Sequence, residues 1–318
     1  MDVSKQKSNK NLTPGLSPLS ERRSRCEADD MSKQKLNKDL EQGVPLIRRG
    51  IEGEVWNNNK VVIAGAGPGD AELITLKLQK RLKEADVIIT DRLVNPAIIE
   101  EHASKNAEVI LTGKQGYHDG SVSQEEINEL MVRYALAGKK VLRLKGGDVA
   151  FFSNVLDELR CLTVNEIEFE IIPGITAASG ASAYAGIPLT ARGFSREVKI
   201  LTLTQCKHYT SETWKQLANS TETLVFYMTS KHLDDLAELL LRYTRKPNTP
   251  LAVIEQATTI HQRVHVTTLK NCQKDFSGKD FSSPSLVIIG KVVNLYEQFN
   301  WFKSGEEGSV FNELVAAK

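Results

Sequence analysis

The chain has 318 residues, 41 Lys plus Arg against 40 Asp plus Glu, an apolar fraction of 41% and a charged fraction of 25%. This is about two domains' worth of ordinary globular sequence, which excludes a wholly disordered, collagenous or disulfide-scaffold protein. The charge balance leaves no bulk footprint for nucleic acid or membrane, and no apolar run approaches the roughly 18 residues that a bilayer span needs.

The amino terminus has no apolar signal core, so a cytoplasmic location is expected. Cys26, Cys161, Cys206 and Cys272 are isolated, with no CxxC pair and no neighbouring histidines at ligand spacing, so no metal site is expected. Residues 1–58 are rich in Lys, Asn, Ser and Glu and lack apolar periodicity, the composition of a disordered polar extension. Within it, Ser4–Leu12 recurs as Ser32–Leu40, a local duplication too polar to build a core.

From Lys60 onward, apolar runs alternate with amphipathic stretches, which predicts an α/β protein. Strands are expected at Val61–Ala64, Val87–Thr90, Val109–Thr112, Val141–Leu144 and Glu168–Ile172, with helices at Ala71–Glu84 and Gln124–Ala137. The second half offers strands at Val198–Thr204, Thr223–Met228, Leu251–Gln256, Arg263–Thr267 and Ser285–Ile289, with a hairpin near 254 and 265. The expected organisation is a first, mostly parallel domain at 59–172, a second, mixed domain at 173–303 and a tail at 304–318, the two domains meeting near Pro173-Gly174.

Two glycine loops follow strands. Gly65-Ala66-Gly67-Pro68-Gly69-Asp70 departs from a dinucleotide fingerprint, because Pro68 removes an amide donor and Gly69-Asp70 replaces the third-glycine geometry. Asp70 reads as a helix N-cap. Lys145-Gly146-Gly147-Asp148 also lies at a strand's carboxyl end, where open α/β sheets bind ligands, so the two loops point to one shared cleft. Asp148 fits a hydrogen-bond acceptor for a ribose or ammonium group, or equally a turn-forming Asp. A third segment, Pro173–Thr190, leads from a strand into a helix of small residues.

In order along residues 60–293, GAGPGDAELITL (65–76), DRLV (91–94), GKQGYHDGSVSQEEIN (113–128), RLKGGD (143–148), PGITAASGASAYAGIPLT (173–190), LVFYM (224–228) and PSLVIIGKVV (284–293) resemble the tetrapyrrole methylases. The nearest likeness is to the branch that methylates uroporphyrinogen III. The resemblance implies a two-domain homodimer that uses S-adenosylmethionine to methylate C2 and then C7 of uroporphyrinogen III, giving precorrin-2 for siroheme or cobalamin. By motif, cofactor contacts would fall on Pro68, Gly146, Gly147, Asp148, Phe151, Thr176, Ala177, Met228, Ala257 and Leu286. Cationic clamps for the substrate's carboxylates would come from Arg92, Lys114, His118, Arg143, Lys145 and Arg192. The family's PFxFGRGxEE after GGD is here Val149–Glu158, so Asn154 stands where the family has an arginine and Asp157 where it has an acid. With Arg92, these two are the catalytic candidates; Gln115 also replaces a common arginine.

Overall fold

In a computed structural model of the chain, the described residues are 56, 60–112, 123–203, 208–229, 232–244, 246–304 and 306–311. Lys114, Gln115 and His118, and residues 1–55 with their repeat, lie outside them.

The first sheet has five strands: β1 (Lys60–Gly65), β2 (Val87–Thr90), β3 (Glu108–Leu111), β4 (Val141–Lys145) and β5 (Glu168–Ile172). All pair in parallel, in the order β3-β2-β4-β1-β5. A parallel sheet needs crossover helices on both faces, and alternation along the strands supplies both. Val62 and Ala64 of β1 pack with Leu142 and Leu144 against Leu78, Leu82 and Ile98. Val61 and Ile63, with Val87, Ile89 and Val141, face Ile127, Met131 and Leu162 on the other side.

The stretch expected as one helix at Ala71–Glu84 is broken into a 3-10 turn at Ala71–Leu73 and a helix at Leu76–Glu84. Thr75 is extended and its hydroxyl accepts from the Leu78 amide at 3.1 Å, so a capping residue restarts the helix. Trp56, within the stretch whose composition reads as a disordered extension, is 3% exposed and packs in the core with Leu78 and Leu82. Its indole donates to the Lys60 carbonyl at 2.7 Å and faces the buried Arg81 guanidinium at 5.4 Å. Composition describes a segment, and a single aromatic within it still finds a core.

The second sheet comprises β6 (Val198–Thr202), β7 (Thr223–Tyr227), β8 (Pro250–Glu255), β9 (Arg263–Thr268) and β10 (Ser285–Ile289), in the order β6-β7-β10-β8-β9. Only β6 and β7 are parallel; β8 and β9 form the expected hairpin, with Ile254 opposite Val264. The small-residue helix Ala177–Ala185 lays Ala178, Ala181 and Ala185 against Val225, Ile254 and Ile288. Trp214, Leu236 and Leu240 cover the opposite face. No helix among the described residues is long and apolar enough to cross a membrane.

Candidate active site

Adjacent strands β1 and β4 send their chains to opposite faces of the sheet. The helix after β1 buries Leu78 and Leu82 on one side, and the helix after β4, Val155–Val164, buries Leu162 on the other. Their carboxyl ends therefore diverge, opening the crevice that α/β sheets use for ligands. Both glycine loops start there and are tied together. The Gly67 amide donates to the Gly147 carbonyl at 3.0 Å, the Gly147 amide returns to Gly67 at 2.8 Å, and Ala66 donates to Lys145 at 2.7 Å.

Glycine is required at this junction by space. A Cβ on Gly65 would lie 2.5 Å from the Gly147 carbonyl, and one on Gly174 would lie 2.3 Å from the same oxygen. Gly147 itself differs: its φ is +68°, yet the nearest atom to an added Cβ is the Ala177 amide nitrogen at 3.8 Å. The backbone there faces room that a ligand can occupy.

Asp148 is fixed by backbone donors. Oδ1 accepts from the Ala150 amide at 2.6 Å and Oδ2 from the Gly174 amide at 2.9 Å. Its carboxylate thus ties the β4 loop to the loop after β5, as a turn-forming Asp does, and each oxygen keeps a lone pair for a further donor. Beyond it the chain twists sharply, with Phe152 at φ +52° and Asn154 at φ +53°. Left-handed conformations at non-glycine residues each hold about 1–3 kcal/mol and persist where the surroundings impose them. Asn is the type that tolerates this region best after Gly. Asn154 is the N-cap of Val155–Val164, exposed, and its side chain caps nothing.

Beneath the loops lies a buried charge cluster. Along β4, Arg143 and Lys145 continue the stripe of Val141, and both are buried, at 3% and 4% exposure. They share one oxygen: Glu158 Oε1 accepts from Arg143 Nε at 2.9 Å and from Lys145 Nζ at 2.8 Å. Arg143 Nη1 also donates to the Leu144 carbonyl at 3.0 Å, and Nη2 lies 4.0 Å from Asp91 Oδ2. Burial, with the neighbouring Arg143 charge, pushes the Lys145 ammonium below its usual value, while Glu158 pulls it back up. Neither cation is free to clamp a ligand, so the expectation for Arg143 and Lys145 is corrected: the strand alternation that points them inward also buries them.

The second half of the molecule closes the crevice. Thr176 and Ala177 begin the small-residue helix, where Tyr227 Oη lies 2.7 Å from Thr176 Oγ1 and accepts from the Ala178 amide at 2.7 Å. Burial pushes the Tyr227 phenol up, and its ring lies 5.2 Å from that of Phe152. Met228 follows at φ +58° and 58% exposed, so its side chain is open to a ligand and is not core. Pro68 packs on Gly180, whose hypothetical Cβ would lie 2.5 Å from the proline ring. The Asp70 amide donates to Thr258 Oγ1 at 3.0 Å, which brings Ala257 beside Gly69. Asp70 caps as expected, its side chain accepting from Glu72, and also accepts from Tyr184 Oη at 2.6 Å. Burial, then that carboxylate, pushes the Tyr184 phenol up to about 12. Leu286 is 3% exposed within the sheet between Tyr227 and Ile254, so only its backbone is available.

The remaining candidates separate. Gly146 is pressed against Leu93, and half-buried Arg92 in the same turn reaches across to Ser283 Oγ at 3.3 Å. Phe151 is 40% exposed. Arg192 is exposed on the turn closed by Ala191 and Ser195. Asp157 points outward, its side chain 57% exposed and 3.8 Å from Arg160 one helical turn on. The inward carboxylate is Glu158, which the motif reading passed over. Its signal was in the sequence: Glu158 and Leu162 are four apart and share the buried face. Tyr227 and Thr258 gave no such signal, since their roles depend on partners 49 and 188 residues away. Among the described residues no group of three or more His, Cys, Asp or Glu side chains is placed to hold a metal.

Comparison with known proteins agrees with this architecture. The family model for the tetrapyrrole (corrin/porphyrin) methylases matches residues 60–273. A siroheme synthase of Pseudomonas fluorescens (strain Pf0-1) is 40% identical over 266 residues, 83% of this chain and 57% of the relative. The chain thus spans little more than half the length of that relative. A crystal structure of uroporphyrin-III C-methyltransferase from Thermus thermophilus superposes with a TM-score of 0.63 at 30% identity, covering 79% of this chain and 98% of the other. The same enzyme in complex with S-adenosylhomocysteine gives 0.61 at 31% identity, over 74% and 94% of the two chains. With the paired glycine loops at the sheet's switch point and a family match that takes in the whole first sheet and β6 to β9 of the second, the chain belongs to the tetrapyrrole methylases.

Proposed function

We propose that the chain transfers methyl groups from S-adenosylmethionine to C2 and C7 of uroporphyrinogen III, giving precorrin-2. The observation that carries the reading is the crevice built by the joined 65–70 and 145–148 loops, where Gly147 leaves room beside the Ala177 amide. That backbone, with Pro68, Gly146, Thr176, Met228 and the Ala257 loop, would hold the cofactor, a sulfonium that supplies an already activated methyl group. The relative solved with S-adenosylhomocysteine supports this assignment.

A reduced pyrrole carbon is electron-rich, so the protein's task is to orient it and exclude water more than to remove a proton beforehand. Half-buried Arg92 and exposed Arg192 are the described cations suited to the substrate's carboxylates; Lys114 and His118 remain candidates. Asn154 offers an amide in place of a guanidinium and contributes one neutral hydrogen bond. Homodimeric assembly, a cytoplasmic location and supply of siroheme or cobalamin belong to this proposal. A catalytically silent relative is the second reading, favoured by neutral Asn154 and outward Asp157.

Incubation with methyl-labelled S-adenosylmethionine and uroporphyrinogen III separates the two. A product carrying two new methyl groups supports the proposal, with Asn154→Ala costing about tenfold or less in kcat/KM, as for one neutral hydrogen bond. Tight S-adenosylhomocysteine binding without any turnover establishes the silent reading.

A further inference from the structure

The loop after β8 holds Gln256 at φ +45° and Thr258 at φ +69°. Such backbone persists only where its surroundings hold it. Part of the hold is internal: the Thr258 amide donates to Gln262 Oε1 at 2.8 Å, and Thr259 Oγ1 donates to the Gln256 carbonyl at 2.8 Å. Part comes from the 65–70 loop through Asp70 and Thr258.

The rest comes from the end of the chain. Gln256, 1% exposed, donates from Nε2 to the Gly308 carbonyl at 2.9 Å. His261 Nδ1 lies 3.2 Å from the Glu306 carbonyl, which makes it the donor, and Ser304 Oγ donates to the Gln262 carbonyl. A Cβ on Gly308 would lie 3.0 Å from the His261 ring, so the segment is seated closely. Its root is fixed as well. Trp301 Nε1 donates to the Ala183 carbonyl at 2.8 Å, and the Trp301 and Phe302 rings lie 5.2 and 4.8 Å from Tyr184, the residue bonded to Asp70. Phe311 is buried at the far end. Residues 301–304 and 306–311 lie beyond residues 60–273, the span the family model matches, while the groups they hold lie within it.

We infer that residues 301–304 and 306–311 form a positioning strap for the cofactor, holding the 256–262 loop in the shape that presents Ala257 to S-adenosylmethionine. The inference rests on the cofactor assignment made above. Gln256 and Tyr184 are its positioning residues: each joins the strap to one of the two loops that flank the crevice. Loop order secured before binding is order that the cofactor need not impose, so the strap acts on affinity.

The test is calorimetry of S-adenosylhomocysteine with the full chain, with Gln256→Met, which keeps side-chain length but cannot donate, and with a chain ending at Lys303. Gln256→Met is expected to weaken binding by about threefold to tenfold, as for one lost hydrogen bond, and the shortened chain by more. In turnover, KM for S-adenosylmethionine rises by the same factor, while kcat and KM for the tetrapyrrole stay within about twofold. Unchanged affinity in Gln256→Met overturns the inference whatever the shortened chain does, and a lowered melting temperature alone would mark a purely structural contact. If the full chain fails to bind S-adenosylhomocysteine, the cofactor assignment itself falls.

Discussion

Replacing Glu158 by Gln removes the one carboxylate oxygen on which Arg143 Nε and Lys145 Nζ converge at 2.9 and 2.8 Å. Glu158 is fully buried and both cations are within 4% of it, so solvent cannot take over the lost charge. Asp91, the other acid at hand, stands 4.0 Å from Arg143. Breaking a buried pair from the acid side strands its partners, at a cost of about 3–5 kcal/mol. At about 2–4 °C per kcal/mol for a folded unit of this size, the melting temperature should fall by roughly 6–20 °C. Lys145→Met is expected to cost only about 1–2 kcal/mol, because Arg143 and Glu158 then balance and a buried ammonium is relieved. The pH dependence has a definite sign. Lys145 is held below its unfolded value of 10.5, so in the interval beneath that value the unfolded chain binds more protons and stability rises with pH. Without Glu158 that value falls further and the rise widens. Urea and thermal unfolding of both variants between neutral and alkaline pH would decide the matter. A loss under about 1 kcal/mol for Glu158→Gln, or a larger loss for Lys145→Met, would refute the shared-carboxylate argument.

Gly147→Ala places a methyl group at φ +68° where it meets no protein atom closer than 3.8 Å; the strain should cost about 1–2 kcal/mol in folding, while S-adenosylhomocysteine affinity falls about tenfold or more. Calorimetry showing full affinity in the folded variant would move the cofactor elsewhere. Trp56→Ala should lower stability by about 3–5 kcal/mol in urea unfolding, and a chain starting at Gly53 should melt as the full chain does. Tyr184 holds its proton up to about 12 in the folded state against 10.0 unfolded, so stability should fall as pH rises through that interval, and Tyr184→Phe should flatten the decline in alkaline melts.

What the sequence by itself determined is local and periodic. Alternation in Val61–Ala64 and Val141–Leu144 made parallel strands with two apolar faces, and the glycine words after them marked the tight loops at the strands' carboxyl ends, because both signals depend on neighbours within a few residues. The β8–β9 hairpin was legible for the same reason. Tertiary structure decided what each polar group is bonded to. Nothing local says that Asp148 would accept from the amides of 150 and 174, or that Lys145 and Arg143 would share Glu158. Nor does any pattern join Gln256 to Gly308, or Tyr184 to Asp70. A hydrogen bond requires two groups within about 3 Å, and residues far apart in the chain reach that distance only through the crossing of packed elements, which the sequence pattern specifies one element at a time.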